Sequence, residues 1–465
     1  MVNNMENKSI WSKTKIKKNY PKLDKDINTD ILIIGGGITG INILYKLKDF
    51  NVTLVERNKL CQATTLNTTG KLTFMQDNIY NNIIKIHNEK KASLYLKSQL
   101  EAIDIIKKII KDNNINCDFI KTKSYIFTNK KSDIEKLKTL KEFLIKNNIE
   151  VNEEQLTLVN NLYSISSNNT YLFNPIKYVN GLLNNLNNDI YENTNIIDIK
   201  YEDNKYICST KDNKITAKYV ILACHYPNFV YPYFFPLKSH IEKSYIVAYK
   251  NKINNISLIS YDNPVLSIRN YQDYTLKVSN SHILCNDTND LTNFEELVKD
   301  VKKDNLYLWS NTDIYTSDYL PYIGYIKDNL LIATGFNTWG MLNSVISGKV
   351  IADLIKQKYN EYQELFDPKR VKSKLKMIND SFYSLKGYIK GYQKNDKIKY
   401  SKINGEDVMI YKDHIVKRTC PHLKCKLLFN EIEETFDCPC HSSKFDLDGK
   451  IINGPSKYNI NTDNN

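Results

Sequence analysis

The chain has 465 residues, 42% of them hydrophobic, and a formal net charge of +13. This length predicts two or three domains, and no apolar run approaches the roughly 20 residues of a membrane helix, so we expect no membrane span. The lysines alternate with acidic residues and form no basic block, so we expect no nucleic-acid partner. Residues 1–29 are charged throughout and lack the apolar segment of a secretory signal, which favours a cytoplasmic protein.

The first predicted strand, turn and helix carry a glycine-rich motif. They cover residues 30–47, and a second strand ends in Glu56. Gly35, Gly37 and Gly40 have the spacing of the dinucleotide-binding fingerprint. In that motif the first glycine permits the turn, the second lets the backbone approach a pyrophosphate, and the third lets the helix pack on the strand. The sequence therefore predicts a dinucleotide with its phosphates at the helix N-terminus.

The identity of the dinucleotide depends on the rest of the chain, because FAD and NAD share this fingerprint. Glu56 is expected to accept hydrogen bonds from ribose hydroxyls, although it could also be an ordinary carboxylate at a strand end, and its charge disfavours NADP. Three later stretches favour FAD: a hydroxyl-rich loop at 61–71, a strand at 219–225, and a strand, glycine turn and helix at 330–355. The N-terminus of that last helix would stabilise the negative charge of a reduced flavin.

Together these stretches resemble the FAD-dependent oxidoreductases of the D-amino-acid oxidase superfamily, whose members oxidise C–N bonds of amines and amino acids. The resemblance covers roughly residues 10–370 and is strongest at 30–71 and 309–355. It implies an α/β, Rossmann-like FAD-binding domain and an α+β substrate domain with an antiparallel sheet. The residues that we expect at the FAD are Gly35, Gly37, Ile38, Thr39, Gly40, Glu56, Arg57, Thr68, Thr69, Ile196, Ala223, Gly335, Asn337, Trp339, Gly340 and Met341.

The segments between these motifs are expected to form the substrate domain. Residues 89–112 predict an amphipathic helix, and alternating stretches at 243–249 and 274–278 predict strands of a sheet that covers the flavin. No residue there is an evident catalytic base, and a structural role is favoured for the isolated histidines His87, His225, His240 and His282. The lack of a base is no contradiction, because flavin-dependent amine oxidation can work mainly through positioning and desolvation. Lys71, close to the predicted flavin loop, is the one candidate for a catalytic residue.

Cysteines and histidines crowd together near the end of the chain; they are Cys420, His422, Cys425, Cys438, Cys440 and His441. Two cysteine–histidine pairs could hold one tetrahedral zinc, but zinc leaves two of the cysteines without a role. The motif resembles the two cluster loops of a Rieske domain, in which two cysteines bind one iron of a 2Fe-2S cluster and two histidines bind the other.

The Rieske resemblance implies a role for each of the six residues. Cys420 and Cys438 correspond to the ligands of the first iron, and His422 and His441 to those of the second. By the same resemblance, to Rieske proteins of the respiratory type, the remaining two cysteines form a disulfide, Cys425 with Cys440. The turn at 454–455 corresponds to the third loop that covers such clusters.

Three positions depart from the common Rieske pattern. Lys424 and Ser442 stand where glycines are common, and Phe445 stands where a tyrosine usually donates a hydrogen bond to a ligand sulfur, whereas Ser443 keeps the usual hydroxyl. Losing one donor destabilises the reduced, more negative cluster. We therefore predict a reduction potential below that of the respiratory type, within the range of roughly −150 to +300 mV for Rieske centres.

The predicted organisation is a two-cofactor protein with a small all-β Rieske domain at its end. Its predicted parts are an FAD-dependent oxidoreductase at 1–375 (FAD-binding segments at about 28–75, 190–230 and 309–360; substrate domain at about 76–189 and 231–308), a linker at 376–395 and the Rieske domain at 396–465.

The predicted function is oxidation of a small amine or amino acid, with single electrons passing from FAD to the 2Fe-2S cluster and on to an unknown acceptor. Two alternatives stay open. One is an oxidase that uses oxygen directly, with the cluster as an appendage. The other is a non-catalytic electron-transfer or redox-sensing protein.

Overall fold

The computed structural model describes residues 5–461, apart from 228–234, 236–237, 252, 254, 287–288, 302–304 and 371–373. The elements of the first half are β1 Met5–Glu6, a 3₁₀ helix Ile10–Lys13, β2 Ile27–Ile34, α1 Ile38–Lys46, β3 Val52–Val55, α2 Thr64–Asn67, β4 Lys71–Leu72, α3 Ile79–Ile86, α4 Glu89–Asp112, β5 Ile120–Thr128, α5 Lys131–Lys146, β6 Asn152–Glu153, β7 Tyr163–Leu172, α6 Pro175–Asn184, β8 Asp189–Tyr191, β9 Asp198–Glu202, β10 Lys205–Ser209 and β11 Lys214–Leu222.

The second half continues with the strands that cover the cavity, a long helical connection and a small β domain. These elements are β12 Ser239–Lys250, β13 Ile256–Ser260, β14 Ser267–Tyr271, β15 Tyr274–Ile283, α7 Asp290–Leu297, β16 Leu306–Thr316, β17 Tyr322–Lys327, β18 Leu330–Thr334, α8 Gly340–Ile355, α9 Gln363–Phe366, α10 Lys374–Lys390, β19 Lys399–Ile403, β20 Glu406–Tyr411, β21 His414–Lys417, β22 Leu428–Asn430, β23 Thr435–Asp437, β24 Lys444–Phe445 and β25 Ile451–Asn453.

The FAD-binding domain is built on a largely parallel sheet. Its strands run in the order β17-β18-β11-β2-β3-β8, and the pairs β11–β18, β11–β2, β2–β3 and β3–β8 are parallel. The apolar run of β2 suits a strand that is covered on both faces. Helices α1 and α8 pack closely, because a Cβ at Gly348 would lie 2.9 Å from the carbonyl oxygen of Asn42. This is the α/β, Rossmann-like domain that the sequence predicts.

The predicted substrate domain has a mostly antiparallel sheet in the order β1-β16-β12-β15-β14-β13-β5-β7-β4. The predicted helix at 89–112 is α4, and the predicted strands at 243–249 and 274–278 lie in β12 and β15. Strands β12 and β16 pair in a register that places Glu242 opposite Asp313. Because side chains alternate across a strand, these two carboxylates and their i±2 neighbours share one face of the sheet.

The end of the chain forms the predicted small all-β domain, with a sheet of β19–β21 and a second of β22–β25. Helix α10 runs through most of the segment predicted as a linker, and it packs against the small β domain. A Cβ at Gly387 would lie 2.7 Å from the carbonyl oxygen of Pro439, and one at Gly391 would lie 2.5 Å from that of Lys426. The glycines thus allow the helix to approach the cluster loops closely.

Candidate functional site

A single cavity of about 260 Å³ extends from the glycine turn after β2 to the facing sheet of β12 and β16. The glycine turn, the loop at 61–71, the end of β11 and the turn before α8 all contribute to its wall. Of the residues expected at FAD, those that line it are Gly35, Gly37, Ile38, Thr39, Glu56, Arg57, Thr68, Thr69, Ile196, Ala223, Gly335, Trp339, Gly340 and Met341.

Two of the expected FAD residues lie outside the cavity lining. Gly40 packs inside the motif, where a Cβ would lie 2.0 Å from the carbonyl oxygen of Gly35. Asn337 is buried, and its Oδ1 accepts a hydrogen bond from the backbone N–H of Thr316 at 2.8 Å. Both residues support the cavity wall through packing or main-chain hydrogen bonds, and neither presents a surface to the cavity.

The glycine turn leaves the start of α1 open to the cavity. Gly37 is the N-cap of α1 and offers no side-chain cap. The backbone N–H of Ile38 donates to the hydroxyl of Thr65 at 3.0 Å, and the next amides of the first turn point to where a ligand would bind. A Cβ at Gly37 would approach only the hydroxyl of Thr65, at 3.2 Å. Gly35 has φ of +117°, and its Cβ would lie 2.7 Å from the carbonyl oxygen of Ala223. The cradle fits a pyrophosphate and would be partly filled by any side chain.

The two charged residues after β3 are held in different ways. Glu56 accepts hydrogen bonds from the backbone N–H groups of Gly36 at 2.8 Å and of Asn58 at 2.9 Å, which fix its carboxylate at the cavity wall. Arg57 donates through Nη1 to the carbonyl oxygens of Gly454 at 3.2 Å and Ser456 at 2.9 Å. Glu56 therefore lies fixed at the cavity wall, where contact with ribose hydroxyls stays a prediction, while Arg57 ties the wall to the loop at 454–456.

Lys71 lies at the cavity wall and is buried. Its Nζ donates to the carbonyl oxygen of Leu258 at 2.8 Å and to the hydroxyl of Ser267 at 2.6 Å. Burial, together with the charge of Arg269, holds the pKa of Lys71 well below its usual range. The lowered pKa favours the neutral amine, which can accept a proton.

Helix α8 starts at the cavity as well. Trp339 is its N-cap, and a Cβ at Gly340 would meet only the ring of Phe336, at 3.6 Å. Gly335 adopts φ of +71° in the turn before the helix. The positive end of the α8 dipole therefore faces the cavity, as expected for stabilising a reduced flavin.

Three carboxylates line the cavity: Asp77, Glu242 and Asp313. The sequence did not predict that they would lie together. Burial, with a contribution from the charge of Glu242, raises the pKa of Asp313 to about 7 and that of Asp77 to about 6. Asp313 accepts a hydrogen bond from the side-chain amide of Asn311 at 3.1 Å. His225 and Tyr226, directly after β11, also line the cavity.

The Rieske-like loops bring the four expected cluster ligands together. Cys420, Cys438 and His441 are buried, and the imidazole centroids of His422 and His441 are 5.1 Å apart. The remaining two cysteines, Cys425 and Cys440, form a disulfide with an S–S distance of 2.08 Å. The sulfur of Cys438 lies within 4.8 Å of both disulfide sulfurs, which cannot act as thiolate ligands.

Unsatisfied polar atoms at these loops fit a cluster. Nδ1 of His441 and Nε2 of His422 are buried and have no hydrogen-bond partner within the described part of the chain. Buried polar atoms without a partner are rare in proteins, and a bound metal ion is one reason for them. The hydroxyl of Ser443 accepts from the backbone N–H of Ser456 at 3.1 Å, which leaves its hydrogen for another acceptor. Two cysteines and two histidines are the donor set of a Rieske centre.

The Rieske domain forms part of the wall of the same cavity. Ile452, Asn453 and Gly454 of the third loop line it beside Glu56 and Arg57. Across the sheet, the hydroxyls of Thr312 and Ser442 are 2.9 Å apart, and Ser310 donates to the carboxylate of Glu433 at 2.7 Å. Because these β16 residues alternate with the cavity-facing Asn311 and Asp313, the sheet has the cavity on one face and the cluster loops on the other.

Comparison with known proteins agrees with both halves. Residues 30–354 match the family described as FAD dependent oxidoreductase, and residues 388–462 match the Rieske [2Fe-2S] domain. The chain is 30% identical over 489 aligned positions to YhfW of Bacillus subtilis (strain 168), named as a Rieske 2Fe-2S iron-sulfur protein, and the match covers 96% of each chain. None of the described helices is long and apolar enough to span a membrane.

Solved structures share the fold of the larger part. Glycine oxidase from Geobacillus kaustophilus superposes with a TM-score of 0.59 at 16% identity, over 74% of this chain and 99% of the other. L-amino acid deaminase from Proteus vulgaris superposes with a TM-score of 0.61 at 13% identity, over 77% and 100%. The chain therefore belongs to the FAD-dependent oxidoreductases of the D-amino-acid oxidase family, and it binds FAD in that domain and a 2Fe-2S cluster in its C-terminal Rieske domain.

Proposed function

We propose that the protein oxidises a small amine or amino acid and passes the electrons from FAD to its Rieske cluster and then to a one-electron acceptor. One observation carries this proposal. The cavity that begins at the dinucleotide fingerprint is closed in part by Ile452, Asn453 and Gly454 of the Rieske third loop, so the two cofactor sites share a wall. FAD exchanges electrons in pairs or singly, and a Rieske cluster exchanges one at a time.

The charges of the cavity support an amine. Asp77, Glu242 and Asp313 attract an ammonium group because opposite charges interact strongly where water is scarce. The carboxyl of Asp313, with its pKa raised to about 7, can hold or release a proton near neutral pH. Glycine oxidase and L-amino acid deaminase, which share the fold, are named for amino-acid substrates.

The cationic side chains of the cavity have other assignments. Arg57 is bonded to carbonyl oxygens of the third loop, Lys59 pairs with Glu192 at 2.7 Å, and Lys71 donates to the carbonyl and hydroxyl oxygens described above. We propose that Lys71 remains neutral beside the flavin and takes up a proton during turnover, for which its depressed pKa suits it. Replacement by methionine is expected to slow reduction of FAD and leave the cluster signal of the dithionite-reduced protein unchanged.

Anaerobic reduction tests the proposed function. Amines and amino acids are added to the oxidised holoenzyme, while flavin absorbance and the electron paramagnetic resonance (EPR) signal of the reduced cluster are followed. A substrate should bleach the flavin and then produce the cluster signal. In the matched variant His441→Ala, which lacks one iron ligand, the flavin should bleach without that signal.

Two other results would contradict the proposal. If a substrate bleaches the flavin while the cluster stays oxidised, and oxygen admitted afterwards re-oxidises the flavin, the protein is an oxidase with the cluster as an appendage. If no amine or amino acid bleaches the flavin, although a reduced carrier reversibly reduces both centres, the protein transfers electrons or senses redox state without catalysing oxidation.

A further inference from the structure

Tyr226 touches both cofactor sites. It follows β11 directly, lines the cavity with His225, and is 3% exposed. Its ring centroid lies 5.5 Å from that of His441 at an interplanar angle of 54°, and 6.4 Å from that of His422 at 80°. One side chain therefore spans the protein between the flavin cavity and both histidines expected on the second iron.

The neighbours of Tyr226 fix the ring in this place. It packs with Ile241 of β12 and Ile314 of β16, on the face of the sheet opposite the cavity carboxylates. Burial raises the pKa of Tyr226, so the phenol keeps its proton. The ring is thus a neutral, buried contact between the sheet and the two histidines.

We propose that the ring of Tyr226 bridges the flavin cavity and the Rieske cluster. It provides the contact through which the electron passes between them, and it keeps water from the cluster histidines. This inference rests on the proposed electron transfer from FAD to the cluster and identifies its route. The reduced flavin would supply one electron at a time and release its proton into the cavity, and one ferric iron of the cluster would become ferrous by taking up that electron. The tyrosine gains and loses nothing. The second electron follows after a one-electron acceptor has re-oxidised the cluster.

Electron transfer through the ring and exclusion of water by the ring lead to separate expectations for the variants. Tyr226→Phe keeps the ring and should transfer electrons as the wild type does. Tyr226→Leu removes the ring, which opens a gap in the contact, and should slow the transfer by roughly an order of magnitude or more. Water admitted to the histidines stabilises the added negative charge of the reduced cluster, so the midpoint potential of Tyr226→Leu should rise. A slower transfer despite a higher potential separates loss of the route from loss of driving force.

The experiment avoids the unidentified substrate. FAD in the anaerobic holoenzyme is photoreduced with a deazaflavin, and the EPR signal of the reduced cluster is followed in time, while the cluster potential is measured separately by dye-mediated titration. Phe127→Leu is the matched control, because Phe127 is as buried as Tyr226, packs in a separate apolar cluster and does not line the cavity. It should behave as the wild type in both measurements. Tyr226→Met serves as a second variant without the ring if Tyr226→Leu fails to assemble the cluster.

The outcomes distinguish this inference from the proposal on which it rests. Slow transfer in the ring-free variants, with rescue by phenylalanine, supports the bridge. Transfer in the ring-free variants at the wild-type rate overturns the bridge and leaves the proposed function standing. Absence of transfer in the wild-type protein overturns both.

Discussion

The carboxyl of Asp313, half-buried at the cavity wall, leads to a quantitative prediction. Its pKa is raised from 3.8 to about 7 by burial and by Glu242 opposite it across the β12–β16 pair. In the unfolded chain the group ionises near its ordinary value, so the folded protein binds more protons between these two pKa values and loses stability as the pH rises. At 1.36 kcal/mol per pKa unit, the full penalty above pH 7 is at most roughly 4 kcal/mol. Water in the cavity lowers this figure.

Asp313→Asn removes the penalty and keeps the shape of the side chain. At pH 5 the ionised form already disfavours folding by roughly 1.6 kcal/mol, and at pH 8 by roughly 4, so the variant should gain about 2.5 kcal/mol over the wild type between these pH values. Denaturant unfolding of the holoenzyme at the two pH values measures the gain. Asp273→Asn, at an exposed position, is the control and should show no such change.

The same variant should bind substrate less well. If Asp313 helps to hold an ammonium group, its neutral replacement should raise KM by about tenfold, equivalent to 1.4 kcal/mol. A stability difference that is the same at pH 5 and pH 8 would refute the reasoning about this carboxyl. An unchanged KM would refute its role toward the amine.

Three further predictions concern the cofactor loops. Phe445→Tyr should raise the reduction potential of the cluster by roughly 40 mV in a redox titration. The added hydrogen bond stabilises the reduced state by about 1 kcal/mol more than the oxidised state, which corresponds to that shift for one electron. An unchanged potential would contradict the proposed effect of the missing donor. Gly37→Ala should fold normally, since its Cβ meets only Thr65, but retain less FAD per protein by absorbance, and full FAD content would show that the cradle lies elsewhere. Lys424 has φ of +62°, a left-handed conformation that costs about 1–2 kcal/mol for a residue other than glycine. Lys424→Gly removes this strain but adds backbone entropy to the unfolded chain, so it should stabilise the Rieske domain by roughly 0.5–1 kcal/mol in thermal unfolding. A lower unfolding midpoint would refute this.

Sequence patterns predicted the features that depend on residues near one another in the chain. The fingerprint at Gly35, Gly37 and Gly40 is such a feature, because a strand, a turn and a helix determine its geometry together. The cysteine and histidine spacing of the cluster loops is another. The helix at 89–112 followed from its apolar periodicity.

The parts of the site that escaped prediction depend on long-range pairing. Glu242 and Asp313 become neighbours only through the register of β12 with β16, which no local pattern in either strand specifies. The hydrogen bond of Arg57 to Gly454 joins positions 397 residues apart. The sequence also favoured a structural role for His225, whereas the end of β11 places it and Tyr226 at the cavity. Of these contacts, only that of Arg57 depends on how the Rieske domain packs on the rest of the chain.

The most direct test of the central claim is the EPR spectrum of the holoenzyme frozen shortly after anaerobic reduction of its flavin. The account predicts the signal of a reduced Rieske cluster, at an intensity that accounts for the electron the flavin has lost. A reduced flavin beside a cluster that stays oxidised, although dithionite reduces that cluster, would contradict it.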